Sequence, residues 1–326
     1  MRAIRCHAFT GPKDLRLEDI PDPVPGAGQV LIAVEACGLG FVDGLLVQGK
    51  YQVKDPLPFT PGGEMAGRVL AVGEGVSGDL VGKRVAGLAK GGLAEKALLP
   101  AVACAVLPEK FESAGAAASL INYGTAIFGF EDCGHLKAGE TVLVLGASGG
   151  VGMAAIDVSR GMGATVIAAA SSEDKRQAAI ARGAHKAIDY TQDDWRKALT
   201  EALEGKGLDV VYDPVSGAWS EAAFRSLAPG GRHLVIGFAS GEIAKLPLNL
   251  ALLKRAALVG VDWGGHVRAD PKEGARITRR LMELVEQGRI TPRADSVHAP
   301  TEAPEVIAAM LARKMIGKPV ITPNNN

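Results

Sequence analysis

The chain has 326 residues, 47% hydrophobic and 22% charged, and its 36 basic and 36 acidic residues cancel at neutral pH. That composition describes a globular protein large enough for two domains, and zero net charge gives no long-range attraction toward nucleic acid. No apolar run is long enough to cross a membrane, and the start MRAIRCHAFTGP lacks the apolar stretch of a signal peptide. The cysteines, Cys6, Cys37, Cys104 and Cys133, form no CxxC pair. This excludes a zinc knuckle or a thioredoxin-like motif and suits a cytoplasmic protein with buried or incidental thiols.

Met1–Phe9 reads as a first strand, followed by strand-like runs at Val30–Ala36, Glu64–Val72 and Arg84–Leu88. Loops rich in proline and glycine, at Pro21–Gly26 and Pro56–Gly62, punctuate them. Short strands with frequent turns predict a compact β-barrel-like unit. The pattern changes near Ser113, where ESAGAAASLINYGTAIFGF predicts a helix of small residues. Strands and helices then alternate. The strands fall at Thr141–Leu145, Thr165–Ala169, Lys186–Asp189, Asp209–Tyr212, His233–Ile236 and Ala256–Val261. The helices fall at Gly150–Gly161, Glu173–Arg182, Trp195–Leu203 and Glu221–Leu227. Such alternation specifies an α/β domain built on a doubly wound parallel sheet. The tail holds helices at Ala275–Gln287 and Glu302–Arg313 and a last strand at Lys318–Ile321.

The strongest local signal is LGASGGVG, Leu145–Gly152, which follows the apolar strand TVLVL and opens a helix. This is the context a dinucleotide fingerprint requires. Gly149 and Gly152 match its second and third glycines, with Ala147 at the first. Gly149 lets backbone N–H groups reach a pyrophosphate, and Gly152 lets helix and strand pack closely. After the second strand an NAD site carries an acidic residue for the ribose 2′-hydroxyl. Here stand Ala170, Ser171 and Ser172, with Lys175 and Arg176 one turn later. Hydroxyls and cations suit a 2′-phosphate, so the reading is NADP(H); a serine N-cap before a solvated helix face is the plainer alternative. Tyr190 follows the third strand, where it can pack against the adenosine end or close the strand. Asp213-Pro214, after the fourth, reads as wall rather than base.

Five segments, FVDGLLVQGKY (41–51), LPFTPGGEMAGRVLAVGEGV (57–76), NYGTA (122–126), LGASGGVG and the C-terminal GKPVITP, resemble in order and spacing the zinc-free quinone oxidoreductase (ζ-crystallin-like) family of the medium-chain dehydrogenase/reductase superfamily. The resemblance covers essentially the whole chain. It implies a GroES-like β-barrel catalytic domain from residues 1–118, an inserted Rossmann NADP-binding domain over 119–260, and a return to the catalytic domain over 261–326. It also implies coenzyme contacts at Gly149, Gly150, Val151, Gly152, Ser171, Ser172, Lys175, Tyr190, Gly237 and Phe238. Asn122 and Thr125 would lie near the nicotinamide; without the resemblance, NYGTA reads as a helix whose small residues pack. Zinc-dependent relatives carry a Cys where this chain has Gly40, three residues before Asp43, and a His where it has Gly63, before Glu64. Glycine has no side chain to ligate, so no metal is expected.

The activity implied is reduction of a quinone or an α,β-unsaturated carbonyl with NADPH. The alternatives are a 2-enoyl thioester reductase and a non-catalytic NADPH-binding relative. Tyr51, in QGKY, resembles the proposed proton donor of enoyl thioester reductases; the competing reading is an aromatic that only packs. Tyr123, Trp263 and His266 are further candidates to line the substrate site. Gly40 and Leu45 depart from the Asn and Tyr common in the family, which puts the substrate in question. The family's dimers pair their last Rossmann strands, here near Ala256–Val261, so a homodimer with no membrane or nucleic-acid partner is expected.

Overall fold

The computed structural model describes residues 1–52 and 54–323, with the backbone alone at Pro271. In chain order, strands β1 (Arg2–Arg5), β2 (Arg16–Asp19) and β3 (Gln29–Gly38) lead to helix α1 (Phe41–Val47). Then come β4 (Glu64–Val72), β5 (Arg84–Leu88), β6 (Lys96–Pro100), β7 (Ala105–Val106) and α2 (Ser113–Ile127). Regular alternation follows: β8 (Thr141–Leu145), α3 (Gly150–Gly161), β9 (Thr165–Ala169), α4 (Glu173–Arg182), β10 (Lys186–Ile188), α5 (Trp195–Leu203), β11 (Leu208–Asp213), α6 (Ala218–Arg225), β12 (Leu227–Val235), α7 (Asn249–Lys254) and β13 (Ala257–Gly260). The chain ends with α8 (Trp263–Ala269), α9 (Pro271–Glu286), β14 (Ser296–His298), α10 (Ala303–Leu311) and β15 (Pro319–Ile321).

The chain divides into two compact units. The first holds Met1–Ile121, Pro271–Met282 and Pro292–Asn326. Its main sheet runs β14-β15-β3-β4-β5-β7, with β6 also paired to β3. Alternation along β3 drives this arrangement: Val30, Ile32 and Val34 point inward and are fully buried. They meet Met65 and Val69 of β4, Val85 of β5, Leu99 of β6 and Ile321 of β15 in one core. Gly67 marks how closely β3 and β4 approach, because a Cβ there would stand 1.9 Å from the carbonyl oxygen of Ala33.

The second unit holds Asn122–Asp270 and Glu283–Thr291. Its sheet, β10-β9-β8-β11-β12-β13, is parallel at every pairing. Every residue of β8 is buried, as a central strand covered on both faces requires. Strand order reverses between β8 and β11, so the switch point of the sheet lies at their carboxyl ends, where open α/β sheets take ligands.

Several sequence expectations shift. The first strand shortens to Arg2–Arg5, with a single bridge from Cys6 to Phe59. The helix expected over Glu221–Leu227 runs over Ala218–Arg225, because Gly217, at φ +76°, opens it early and Leu227 already pairs with Leu208. β2, α1, β6, β7, α7, α8 and β14 carry no separate signal in the sequence. The compact units change over at 121/122, 270/271, 282/283 and 291/292, whereas the expected domain boundaries are 118/119 and 260/261. The first half of α2 stays with the first unit, where the Ile121 N–H donates to Glu64. α8 stays with the second, where Trp263 packs on Gly124 and Phe128.

Candidate functional site

The turn after β8 sets the site in the second unit. Gly146, at φ +58°, makes the sharp turn, so the tight-turn glycine is Gly146 and not the position of Ala147 assigned from spacing. Gly152 is a packing glycine: a Cβ there would lie 2.5 Å from the Gly146 carbonyl oxygen and 2.7 Å from the Ala147 Cα, both rigid backbone. Gly149 differs. It caps α3, and a Cβ on it would meet only the Gly146 oxygen, at 3.5 Å. The protein's own packing therefore leaves the space beside Gly149 open. The N–H groups of Gly150, Val151 and Gly152 start α3 and lack acceptors within the helix, which makes this end suitable for an anion.

At the end of β9, Ser171 and Ser172 are exposed, and Ser172 caps α4 without a side-chain hydrogen bond. The two cations read together in the sequence separate here. Arg176 bonds Glu173 at 2.8 Å and Asp189 at 2.9 Å and reaches the Ala170 carbonyl oxygen at 3.4 Å. Lys175 makes only a loose contact, 3.5 Å, with the Ser171 hydroxyl. Asp189 is held below the usual carboxylate range by the Thr191 hydroxyl first, then by the Thr191 N–H and Arg176 among others. Tyr190 meets the Trp219 ring edge-on at 4.9 Å, and the Trp219 indole donates to the Tyr190 carbonyl.

Gly237 and Phe238 follow β12. The Ile236 N–H donates to the Asp213 carbonyl and the Ala239 N–H to the Pro214 carbonyl, which laces this segment to the end of β11. The Phe238 side chain is half exposed. Asp213 itself is 2% exposed and accepts four bonds: Val215 and Ser216 N–H on one oxygen, the Ser220 hydroxyl and His233 Nε2 on the other. Burial pulls its pKa up, but the bonds from His233, Ser216 and Ser220 outweigh it and hold the carboxyl below its usual value. It is a strut. All ten coenzyme candidates therefore lie at the carboxyl edge of one parallel sheet, at the ends of β8, β9, β10 and β12.

Asn122 and Thr125 lie one turn apart on α2, with Asn122 buried and Thr125 half-buried. Tyr123 is buried. Its hydroxyl donates to Asp157 at 2.7 Å and accepts from Arg182 at 3.3 Å. Burial, with the Asp157 charge, pushes its pKa well up. Asp157 also accepts the Thr291 N–H, so Tyr123 ties the interior of the second unit. Trp263 is likewise interior, 6% exposed, against Phe128, on which His266 stacks at 4.6 Å. Tyr51 belongs to the first unit. It is half-buried beyond α1, and its hydroxyl makes no hydrogen bond among the described residues.

Where zinc-dependent relatives place metal ligands, the first unit holds a buried ion pair, Lys318 with Glu64, 5% and 1% exposed. A Cβ on Gly40 would stand 3.6 Å from the Lys318 ammonium and 3.7 Å from Asp43. Asp43 accepts the N–H groups of Gly40 and Gly62, and burial raises its pKa despite them and Lys318. Among the described residues no group of three or more His, Cys, Asp or Glu is arranged to hold a metal. The role of Lys318 escaped the sequence reading, although it stands in the quoted GKPV segment.

Comparisons with known proteins agree with this architecture. Residues 26–109 match the alcohol dehydrogenase GroES-like domain and residues 150–280 the zinc-binding dehydrogenase domain. The chain is 37% identical over 324 residues to quinone oxidoreductase-like protein 2 of Bos taurus, covering 98% of this chain and 92% of that one. A probable oxidoreductase from Mycobacterium abscessus superposes with a TM-score of 0.90 at 35% identity, covering 99% of both chains. The quinone oxidoreductase of Thermus thermophilus, solved alone and with NADPH, gives 0.81 at 31% identity, covering 99% of this chain and 100% of that one. A GroES-like unit followed by a parallel dinucleotide-type sheet defines a dehydrogenase of the medium-chain class. The chain belongs to the medium-chain dehydrogenase/reductase family, a family of oxidoreductases, in its quinone oxidoreductase-like branch.

The Asp213 network generates a stability prediction. Its lowered pKa means its contribution is present above the unfolded carboxylate value, about 4, and is lost as pH falls through the folded value. Asp213→Asn, which turns an amide donor toward one pair of buried donors, is expected to cost about 1–3 kcal/mol in chemical denaturation at neutral pH. It is also expected to flatten the acid limb of a stability–pH curve below about pH 4; an unchanged acid limb would show that Asp213 is not a titrating strut.

Proposed function

We propose that this chain is a zinc-independent NADPH-dependent reductase that delivers hydride to a quinone or an α,β-unsaturated carbonyl. The observation that carries the reading is the carboxyl edge of the second unit's sheet. It has open space beside Gly149 at a helix N-terminus and, at the end of β9, two exposed hydroxyls and Lys175 where an NAD site keeps an acid. The N–H groups of residues 150–152 would hold the pyrophosphate, and Ser171, Ser172, Lys175 and Tyr190 the 2′-phosphate end. Gly237, Phe238, Asn122 and Thr125 would border the nicotinamide. When bound, the coenzyme supplies a hydride from its nicotinamide ring. The chain's own part is to orient the acceptor, exclude water and answer the negative charge that develops on oxygen. With no zinc ligand at Gly40 or Gly63, that charge is met by a neutral donor. The Tyr51 phenol, whose hydroxyl is uncommitted, is suited to donate at neutral pH; water serves an acceptor as electron-poor as a quinone.

The same reading includes a homodimer. β13 is the outer strand of its sheet. Leu248, Leu252, Leu253 and Leu258 on and before it are 89%, 78%, 69% and 54% exposed, an apolar edge that pairing with a second copy would cover. Light scattering should give twice the chain mass of 33.7 kDa, and Leu258→Asp should shift it toward the monomer; a wild-type monomer would refute the assembly.

Two further outcomes separate the residues. Lys175→Ala should weaken NADPH binding about 10–100-fold, the loss of one charge-assisted bond of about 1.5–3 kcal/mol, while leaving NADH affinity unchanged. Arg176→Ala should weaken NADPH less, since that guanidinium is held by two carboxylates. Equal losses for both coenzymes in Lys175→Ala would remove the 2′-phosphate assignment.

Turnover of 1,2-naphthoquinone, an aliphatic enone and crotonyl-CoA, followed by NADPH absorbance in wild type and Tyr51→Phe, tests the chemistry. Rapid quinone reduction little changed in the variant supports the reading, with solvent as proton source. Preference for the thioester, with a loss of about 100-fold or more in the variant, would move the chain to enoyl thioester reduction.

A further inference from the structure

α2 enters the second unit at Asn122 and is almost sealed there. From Asn122 through Phe130 only Thr125 is not buried. Two neutral donors flank that opening. Asn122 stands one turn before Thr125 on the helix, and the Trp263 indole lies over Gly124; each of the two residues is 6% exposed. A Cβ on Gly124 would stand 3.0 Å from Trp263 Nε1, so glycine at 124 is what lets the indole nitrogen come this near the helix. Positions 122 and 124 are about 160° apart around the helix axis at 3.6 residues per turn, and position 125 falls between them. The two side chains therefore stand on opposite flanks of Thr125.

Neither donor is paired. The Asn122 amide and the Trp263 indole N–H make no hydrogen bond among the described residues, whereas the Trp219 indole donates to the Tyr190 carbonyl and the Tyr123 phenol to Asp157. Neither is sealed in. Among the described residues, the side-chain nitrogens and oxygens that are both inaccessible and unpaired belong to Arg182, Tyr212 and His233, so the nitrogens of Asn122 and Trp263 retain accessible surface. A carboxamide or an indole N–H this deep normally has a partner. Two unpaired donors beside one opening point to acceptors that a ligand brings. The indole can only donate, and neither group is charged. The ligand is therefore a neutral molecule with acceptor atoms at opposite ends.

We propose that Asn122 and Trp263 hold the two carbonyl oxygens of a 1,4-quinone laid against Thr125, and that this pair favours two-carbonyl acceptors over enones. The proposal rests on reading the chain as an NADPH-dependent reductase of quinones or enones. The quinone gains a hydride, two electrons with one proton, which leaves NADP⁺ and the hydroquinone monoanion. One further proton, from Tyr51 or water, completes the hydroquinone. The two N–H groups donate to the oxygens that share the charge and give up no proton themselves. An enone has one carbonyl, so it engages one donor and leaves the other unpaired, which is how a site built around hydrogen bonds discriminates.

The test uses the full-length protein loaded with NADP⁺, so that binding is read without turnover. The probes are 2,3-dimethyl-1,4-naphthoquinone, whose blocked ring positions do not add thiols, and 1-tetralone, of similar size with one carbonyl. Calorimetric titration should show the quinone binding at least tenfold more tightly than the tetralone. Asn122→Leu and Trp263→Phe should each bring the quinone close to the tetralone while leaving the affinity for NADP⁺ unchanged. If either variant does not fold, the side-chain ¹⁵N–¹H resonances of Asn122 and Trp263 in the wild-type protein decide: both should move with the quinone, and at most one with the tetralone. Equal affinity for the two probes in the wild type, resonances indifferent to the quinone, or variants that lose NADP⁺ instead would each overturn the proposal, the last by assigning the donors to the coenzyme. Absence of NADPH oxidation with any quinone or enone would refute the reductase reading itself, and the NADP⁺ titrations would still decide what the two donors hold.

Discussion

One buried carboxylate organises the ligand-facing end of the second unit. Asp213 ends β11, and the chain must turn there without leaving backbone donors stranded in the interior. Its two oxygens take the N–H groups of Val215 and Ser216, the Ser220 hydroxyl of α6 and the His233 imidazole of β12. Its carbonyl takes the N–H of Ile236 at the end of β12. One residue thereby fixes two strand ends, the start of a helix and the segment that carries Gly237 and Phe238. An ionised group this deep is tolerable only because every lone-pair direction is used. The cost appears at His233, where satisfying the carboxylate orphans the second ring nitrogen.

The first unit solves a related problem with a different charge. Where zinc-dependent relatives hold a metal among ligand side chains, this chain has glycines, and the Lys318 ammonium stands within 3.6 Å of where a side chain at Gly40 would begin. Glu64 is paired with it and also accepts the Ile121 N–H. Asp43, with two backbone donors, remains raised by burial. A buried ion pair is weak evidence for stability but strong evidence for a fixed arrangement, since losing one partner leaves the other unpaired at a cost of about 3–5 kcal/mol. The pair anchors β15 to β4 and so returns the C-terminal strand to the N-terminal sheet.

The sequence was most legible where one physical rule acts alone. β8 reads as a buried strand because five apolar residues in a row fit a sheet covered on both faces, and the glycines after it can only be a tight turn. It was least legible where conformation or a distant partner decides. Spacing alone pointed to residue 147, because Gly146 lies one position off the fingerprint, yet it is Gly146 that takes the positive φ. Tyr123 stands in a helix whose small residues read as packing, with the phenol a candidate for the substrate site, and only the fold brings its hydroxyl to Asp157, 34 positions away. Arg176 and Lys175 look alike in the chain, and it is Glu173 together with Asp189, brought up just after the next strand, that holds Arg176 and not Lys175. His233 carries no signal at all, because HLVI is an ordinary strand and its meaning lies in Asp213, 20 residues earlier.

These features bear on how a reductase of this family works without a metal. A Lewis acid would stabilise an alkoxide strongly and so suits alcohol and ketone interconversion, where the full charge lands on one oxygen. A quinone or an enone spreads the incoming charge over a conjugated system, so a neutral donor such as a phenol or water is enough. On the proposed function, replacing zinc ligands by glycine would narrow the acceptors to those whose own electronics carry part of the load. Selectivity would then rest on two other properties: coenzyme recognition at Lys175 and its neighbouring hydroxyls, and the positions of Gly40 and Leu45, which the family fills with larger or more polar side chains. Smaller residues at both positions would favour a broad, flat acceptor over a short one, since they remove contact that a small substrate would need to be held for hydride transfer.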